Sequence, residues 1–195
     1  MSARIGRVTV PPPDLSIPLR HPDAPAPGAP MPVHWSQCVC CSPTHPAGLQ
    51  LSLIAGEGLT VHGQFEITAL HQGAPGLAHG GLLAAALDES MATLNWLVGA
   101  PSVTARLEID FRRPVPVGTT LHIIASVVAA DQHKVFTRAD GHLDSAGGPV
   151  AISATGLFVQ VPGDHFVRHG RGIDIQAAMI ERDERLSQRD FEVNP

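Results

Sequence analysis

One segment limits the folds open to this chain more than any other. Over residues 81–98, GLLAAALDESMATLNWLV, the side chains Leu83, Leu87, Met91, Leu94 and Val98 fall at spacings of three and four, the repeat of a helix with one apolar stripe. Ala84, Ala85, Ala86 and Ala92 keep its other faces small, so neighbours can pack closely. Its first half carries almost no charge, which predicts a helix surrounded by protein. The other periodic runs between the two tails have strand character. Residues 49–55 and 59–68 flank the turn residues Gly56, Glu57 and Gly58, and further runs cover 103–111, 119–130, 135–143 and 150–161. The predicted order is β-β-α-β-β-β-β, with no parallel βαβ alternation. An α+β fold is expected, an antiparallel sheet wrapped around one long central helix.

The flanks differ from this core. Nine of the eighteen prolines precede residue 34. Proline removes amide donors and disfavours helix in the residue before it, so residues 1–33 are predicted to be an extended or disordered arm. Residues 34–163 form the one domain. Residues 164–195 are a charged tail in which Ile175, Ala178, Met179 and Arg182 predict a short surface helix. The net charge of −5 and a pI near 6.1 give no electrostatic ground for a nucleic-acid or anionic-membrane partner. No apolar run approaches the roughly 18 residues that span a bilayer, and the N-terminus lacks a signal-peptide layout. Three cysteines, at 38, 40 and 41, make no disulfide framework. The expectation is a soluble, cytoplasmic protein.

Two features suggest chemistry. Asp88 lies deep in the apolar helix, where an unpaired charge is costly unless it is hydrogen-bonded, protonated or reached by water. A partner on a neighbouring strand, or an exposed edge of the helix, accounts for it about as well as a catalytic role does. Glu89 points roughly 100° away around the helix and is expected in solvent. At the helix start, His79, Gly80 and Gly81 put unpartnered amides and the positive end of the helix dipole where an oxygen gaining negative charge could sit. A glycine pair alone more often makes a tight turn. The intervals add specificity, since Asp88 follows His79 by nine positions and Thr104 follows Asp88 by sixteen.

The stretch HQGAPGLAHGGLLAAALDES, followed by TARLEIDFRRPVPVG, resembles the hotdog-fold acyl-CoA thioesterases of the PaaI-like branch, which includes the mammalian thioesterase superfamily proteins. The upstream CVCCSPTHPAGLQL is similar to a cysteine-containing lead-in segment of some bacterial members. The resemblance covers about residues 38–161 and is most specific over 71–114. It implies that Asp88 acts as general base or nucleophile and that Gly80 supplies an oxyanion amide. It also implies that Thr104 helps orient water, and that His79 holds the thioester carbonyl or orders the loop. The preceding loop often contributes an amide side chain in this family, and here Gln72 and Gly73 stand there. An acyl-CoA substrate follows, with no metal or redox cofactor required.

A distance bears on assembly. Gly80 and Asp88 are eight residues apart, roughly 12 Å along one helix axis, yet a base-activated water and an oxyanion donor must converge on one carbonyl. Two antiparallel helices of a two-fold dimer close that gap, and the resemblance implies the same shared sites. A homodimer is expected, with a dimer of dimers as the further possibility. Thr104 is in tension with its strand, because in a regular strand it shares its face with Arg106, Glu108 and Asp110, away from the helix.

Other candidates are weaker. Cys38, Cys40 and Cys41 with His34 and His45 read as C-x-C-C without a second ligand pair, so no metal is expected. Arg112 and Arg113 could meet the phosphates of coenzyme A, though adjacent strand residues face opposite ways and at most one should do so. Gly81 completes the set of substrate contacts at the helix start. His62, His122, His133 and His142 are expected on solvent-facing strand positions. Two rival readings share the fold. One is a hydroxyacyl-thioester dehydratase, disfavoured by the seventeen positions from His71 to Asp88. The other is an acyl-CoA-binding sensor, which would gain little from a buried carboxylate.

Overall fold

The structure, a computed structural model, describes residues 9–189, with side chains described through residue 181. A hairpin of β1 (Ser52–Ala55) and β2 (Thr60–Glu66) precedes a short one of β3 (Gln72–Ala74) and β4 (Leu77–Ala78). The helix expected over 81–98 forms as α1 (Gly80–Thr93) and α2 (Asn95–Val98), joined through Leu94. Four long strands follow: β5 (Ser102–Phe111), β6 (Thr120–Ala130), β7 (Lys134–Leu143) and β8 (Val150–Gln160). The chain closes with α3 (His165–His169) and α4 (Gly172–Arg189). That last helix covers Ile175, Ala178, Met179 and Arg182, the positions that predict one in the tail, and residues 190–195 of the tail lie outside the described residues.

Six strands make one antiparallel sheet in the order β1-β2-β6-β7-β8-β5. The inner face packs on α1 through buried Leu83, Ala86, Leu87 and Met91. Close approach needs a bare backbone at one strand position: a Cβ on Gly156 would lie 2.7 Å from Thr137 Oγ1 and 3.4 Å from Met91 Sδ. This is the α+β arrangement expected from the element order.

Residues 9–33 contain no helix, as their prolines dictate, but they are fastened to the domain by the few amides they possess. Ser16 bridges Ala130, and the His21 amide donates to Leu97 O. The amides of Gly28 and Met31 donate to Ala55 O and Leu53 O, so this segment covers the outer edge of β1. Met31 is buried in the core. At the far end of the sheet, β5 has no strand on its outer edge among the described residues.

Among the departures from regular strands, those of β1 and β5 bear on the cysteine segment and on Thr104. β1 begins at Ser52 instead of residue 49, because the amides of Leu49 and Leu51 bond Val39 O and Cys40 O and Gln50 adopts a left-handed backbone (φ 51°). In β5, Thr104 pairs with Phe158 and Arg106 with Leu157, which leaves Ala105 as an extra residue. Such a bulge reverses the facing of every later side chain. Thr104 therefore shares its face with Leu107, Ile109 and Phe111, toward the helix. The regular-strand expectation that turned it away is corrected by one inserted residue.

Candidate active site

The bulge brings Thr104 to the helix, where its hydroxyl donates to Asp88 Oδ1 at 2.9 Å. Asp88 is half-buried. Burial pushes its carboxyl above the usual carboxylate range, and the Thr104 bond opposes that rise. A carboxylate held by one hydroxyl and still reached by solvent is equipped to take a proton from water or to attack a carbon.

At the start of α1, His79 is the N-cap. Its Nδ1 accepts the Gly81 amide at 2.9 Å, so the ring proton sits on Nε2. Its carbonyl takes the amides of Leu82 and Leu83. Three of the first four helical amides are thereby satisfied by one residue, and the Gly80 amide has no acceptor among the described residues. Gly73 is what lets the loop approach His79, since a Cβ there would stand 2.7 Å from His79 Cα. In this arrangement His79 organises the helix terminus, and Gly80 is the donor left over.

A cleft of about 370 Å³ opens at this end, lined by Leu77, Gly80, Leu83, Phe111, Arg112 and Arg113 among others. Both arginines are exposed. The Arg113 guanidinium donates to Val150 O at 2.8 Å. Gln72 is occupied by its own loop, with Nε2 donating to Ala69 O and Oε1 accepting from the Gly76 amide. Asp88 and Thr104 do not line this cleft, so one chain places the Gly80 amide and the Asp88 carboxylate at separate points on α1.

Glu89 is not the solvated residue expected from its position. Its side chain is only 14% exposed and faces the segment before β1, with His34 Nδ1 at 3.5 Å and Cys38 Sγ at 3.9 Å. Burial raises its carboxyl, opposed first by a hydrogen bond with Cys41. Sequence reasoning missed this contact because nothing local links residue 89 to residues 34–41. Of the strand histidines, His62 and His133 are exposed as expected, whereas His122 and His142 are half-buried and His142 Nδ1 lies 2.9 Å from Gly148 O.

Comparison with known proteins adds a family. The model of the Thioesterase superfamily matches residues 75–148. Acyl-coenzyme A thioesterase THEM5 of Mus musculus is 37% identical over 65 residues, 33% of this chain and 26% of that protein. The crystal structure of RHA08564, a thioesterase superfamily protein, is 28% identical with a TM-score of 0.60, covering 71% of this chain and 70% of that one. The E. coli PaaI protein from the phenylacetic acid degradation operon shares the fold at 22% identity and TM-score 0.55, over 59% of this chain and 82% of its own. The alignments with the curated relatives span less than half of those proteins' lengths. Among the described residues no helix is long and apolar enough to cross a membrane. The matched segment contains the capped helix start, Asp88 and Thr104 within a sheet wrapped on one helix, and over residues 75–148 the chain is similar to the thioesterase superfamily, whose fold it shares.

Proposed function

We propose that this protein hydrolyses an acyl-CoA thioester to the free acid and coenzyme A, in sites shared by two chains. The observation that carries the reading is the Asp88–Thr104 pair, a half-buried carboxylate fixed by a hydroxyl at the open edge of the sheet. Asp88 of one protomer takes the proton of a water that attacks the thioester carbon, or attacks that carbon itself to form an anhydride. The carbonyl oxygen gains charge and is met by the Gly80 amide of the second protomer. The C–S bond then breaks and the thiolate leaves as coenzyme A, taking the proton held by Asp88 in the first route or one from water in the second, where a further water cleaves the anhydride to release the acid and restore the Asp88 carboxylate.

The separation of Gly80 from Asp88 supports a two-fold homodimer. So does the asymmetry of the sheet edges, one covered by residues 28–31 and the other, ten-residue β5, unpaired among the described residues. Long open edges are rarely left bare in a stable monomer. Arg112 and Arg113 lie past the end of β5, so the strand alternation expected to separate them does not apply; both line the cleft and supply cationic groups for the phosphates of coenzyme A.

Asp88→Asn keeps the shape and the Thr104 bond but removes the base. Against a panel of acyl-CoAs, with release of free thiol as the readout, kcat should fall by about 10²- to 10⁴-fold. Near wild-type turnover in that variant would remove Asp88 from the mechanism. Tight acyl-CoA binding by the wild type with no thiol release would make the protein a sensor instead.

A further inference from the structure

Behind Asp88, on the other side of the same helical turn, lies a second cluster that the hydrolytic reading does not use. His34, Cys38 and Cys41 come from the segment before β1, and Glu89 comes from α1. One ligand-type atom from each lies within 4.8 Å of all the others. The geometry points to a structural zinc site built by these four residues, which ties the cysteine segment to the helix beside Asp88.

The distances suit a tetrahedron. Zn–S bonds near 2.3 Å and Zn–N or Zn–O bonds near 2.0–2.1 Å place sulfur about 3.5 Å from nitrogen or oxygen, and nitrogen about 3.3 Å from oxygen. Here Cys41 Sγ lies 3.5 Å from His34 Nδ1. His34 Nδ1 lies 3.5 Å from Glu89 Oε1, and Cys38 Sγ lies 3.9 Å from Glu89 Oε2. These three edges lie within about 0.4 Å of the values a central ion needs, and the other three are no longer than 4.8 Å.

The donor set is also selective. Two thiolates with an imidazole and a carboxylate are ligands zinc accepts together, while calcium and magnesium prefer oxygen alone. All four positions are filled by protein, the mark of a structural and not a catalytic ion. Cys38 and Cys41 are in fact a C-x₂-C pair. The Cys40 amide donates to Cys38 Sγ at 3.4 Å, a bond that steadies a thiolate ligand. The Cys40 thiol lies against Cys38 and donates to Ala85 O at 3.7 Å, and it is not one of the four donors that converge. His34 is exposed and gives the ion its way in, whereas Cys41 is buried.

The test uses the full chain, stripped of metal and kept reduced so that all three thiols titrate. Added zinc, followed by competition with a chromophoric chelator, should bind at one ion per chain. Cobalt(II) in its place should show the intense visible bands of a tetrahedral ion together with thiolate-to-metal charge transfer. Cys41→Ser and Glu89→Gln should each weaken zinc binding, the former by at least about 100-fold, while Cys40→Ser should bind as the wild type does. The wild-type titration and cobalt spectrum need no variant to fold. Failure of the reduced wild type to bind stoichiometrically, an octahedral cobalt spectrum, or equal loss in Cys40→Ser would overturn the site. None of these readouts depends on thioester hydrolysis, so the two proposals fail separately.

Discussion

A shared site can be divided between two damaged chains and rebuilt by mixing them. The first variant is Asp88→Asn. The second is Gly80→Pro, which deletes the one helix-start amide that has no acceptor among the described residues. Proline is well suited to the position. Gly80 is the first helical residue, where proline is favoured because its missing N–H would have no helical partner. His79 before it already has the extended backbone that proline imposes on its predecessor (φ −71°, ψ 125°). The added Cβ meets Phe111 Cε1 at 3.2 Å, and that ring is 58% exposed and can tilt aside. Loss of an oxyanion donor should lower kcat by about 10²- to 10³-fold.

Unfolded together and refolded at equal concentration, the two variants should distribute so that about half of the symmetric dimers are mixed. Within a mixed dimer one site receives both lesions and the other receives neither. About a quarter of all sites should therefore be intact, and thiol release should recover to roughly a quarter of wild-type turnover, far above either variant alone. Mass-tagged chains report whether mixed dimers have formed. Mixed dimers without recovered activity would mean that Asp88 and Gly80 of one chain serve the same site, or that Gly80 is not the donor, and the argument from the roughly 12 Å gap would be lost.

Two pH-dependent outcomes follow from the same carboxylate. Thr104→Ala removes a hydrogen bond to an ionised acceptor, worth about 1.5 kcal/mol at the low end that suits its exposed setting, so the acidic limb of kcat/KM should move to higher pH by about one unit; an unmoved limb in the pH–rate profile would detach Thr104 from the ionisation of Asp88. Because burial raises the Asp88 carboxyl in the folded state, its ionised form destabilises the fold at high pH and the penalty vanishes below the unfolded value of 3.8. Asp88→Asn should accordingly melt above the wild type at pH 8, with the difference closing as pH falls toward 3.8, and thermal melts showing no gain at pH 8 would contradict that sign.

Where a signal was periodic, the sequence was readable. The helix over 81–98 and five of the six sheet strands lie close to the expected places because apolar spacing reflects which face is buried. β1 is shorter because Leu49 and Leu51 spend their amides on the cysteine segment, a long-range contact that spacing cannot register. The Thr104 bulge was equally hidden. Strand periodicity assumes one partner residue per step, and only the register against β8 shows that Ala105 has none. The pattern C-x-C-C treats three thiols as equivalent, but the fold gathers Cys38 and Cys41 with Glu89, 48 positions downstream of Cys41, and sets Cys40 against Cys38 and Ala85.

Asp88 and Glu89 are the two acids of a helix that otherwise avoids charge, and both have carboxyls raised by burial. Fold stability alone would favour apolar side chains at both sites, since a partly desolvated carboxylate costs more than it returns unless well partnered. Each instead points to a different neighbour: Asp88 to Thr104 on the open edge strand, Glu89 to the segment carrying Cys38 and Cys41. About 100° of helix rotation separates them, so one turn of α1 is gripped from two sides. The orientation of Asp88 then depends on how firmly the opposite side is held. In the proposed reaction a base that must meet the attacking water or the thioester carbon within a few tenths of an ångström gains from a neighbour anchored in the fold, and that gain offsets the cost of burying a second carboxylate beside the first.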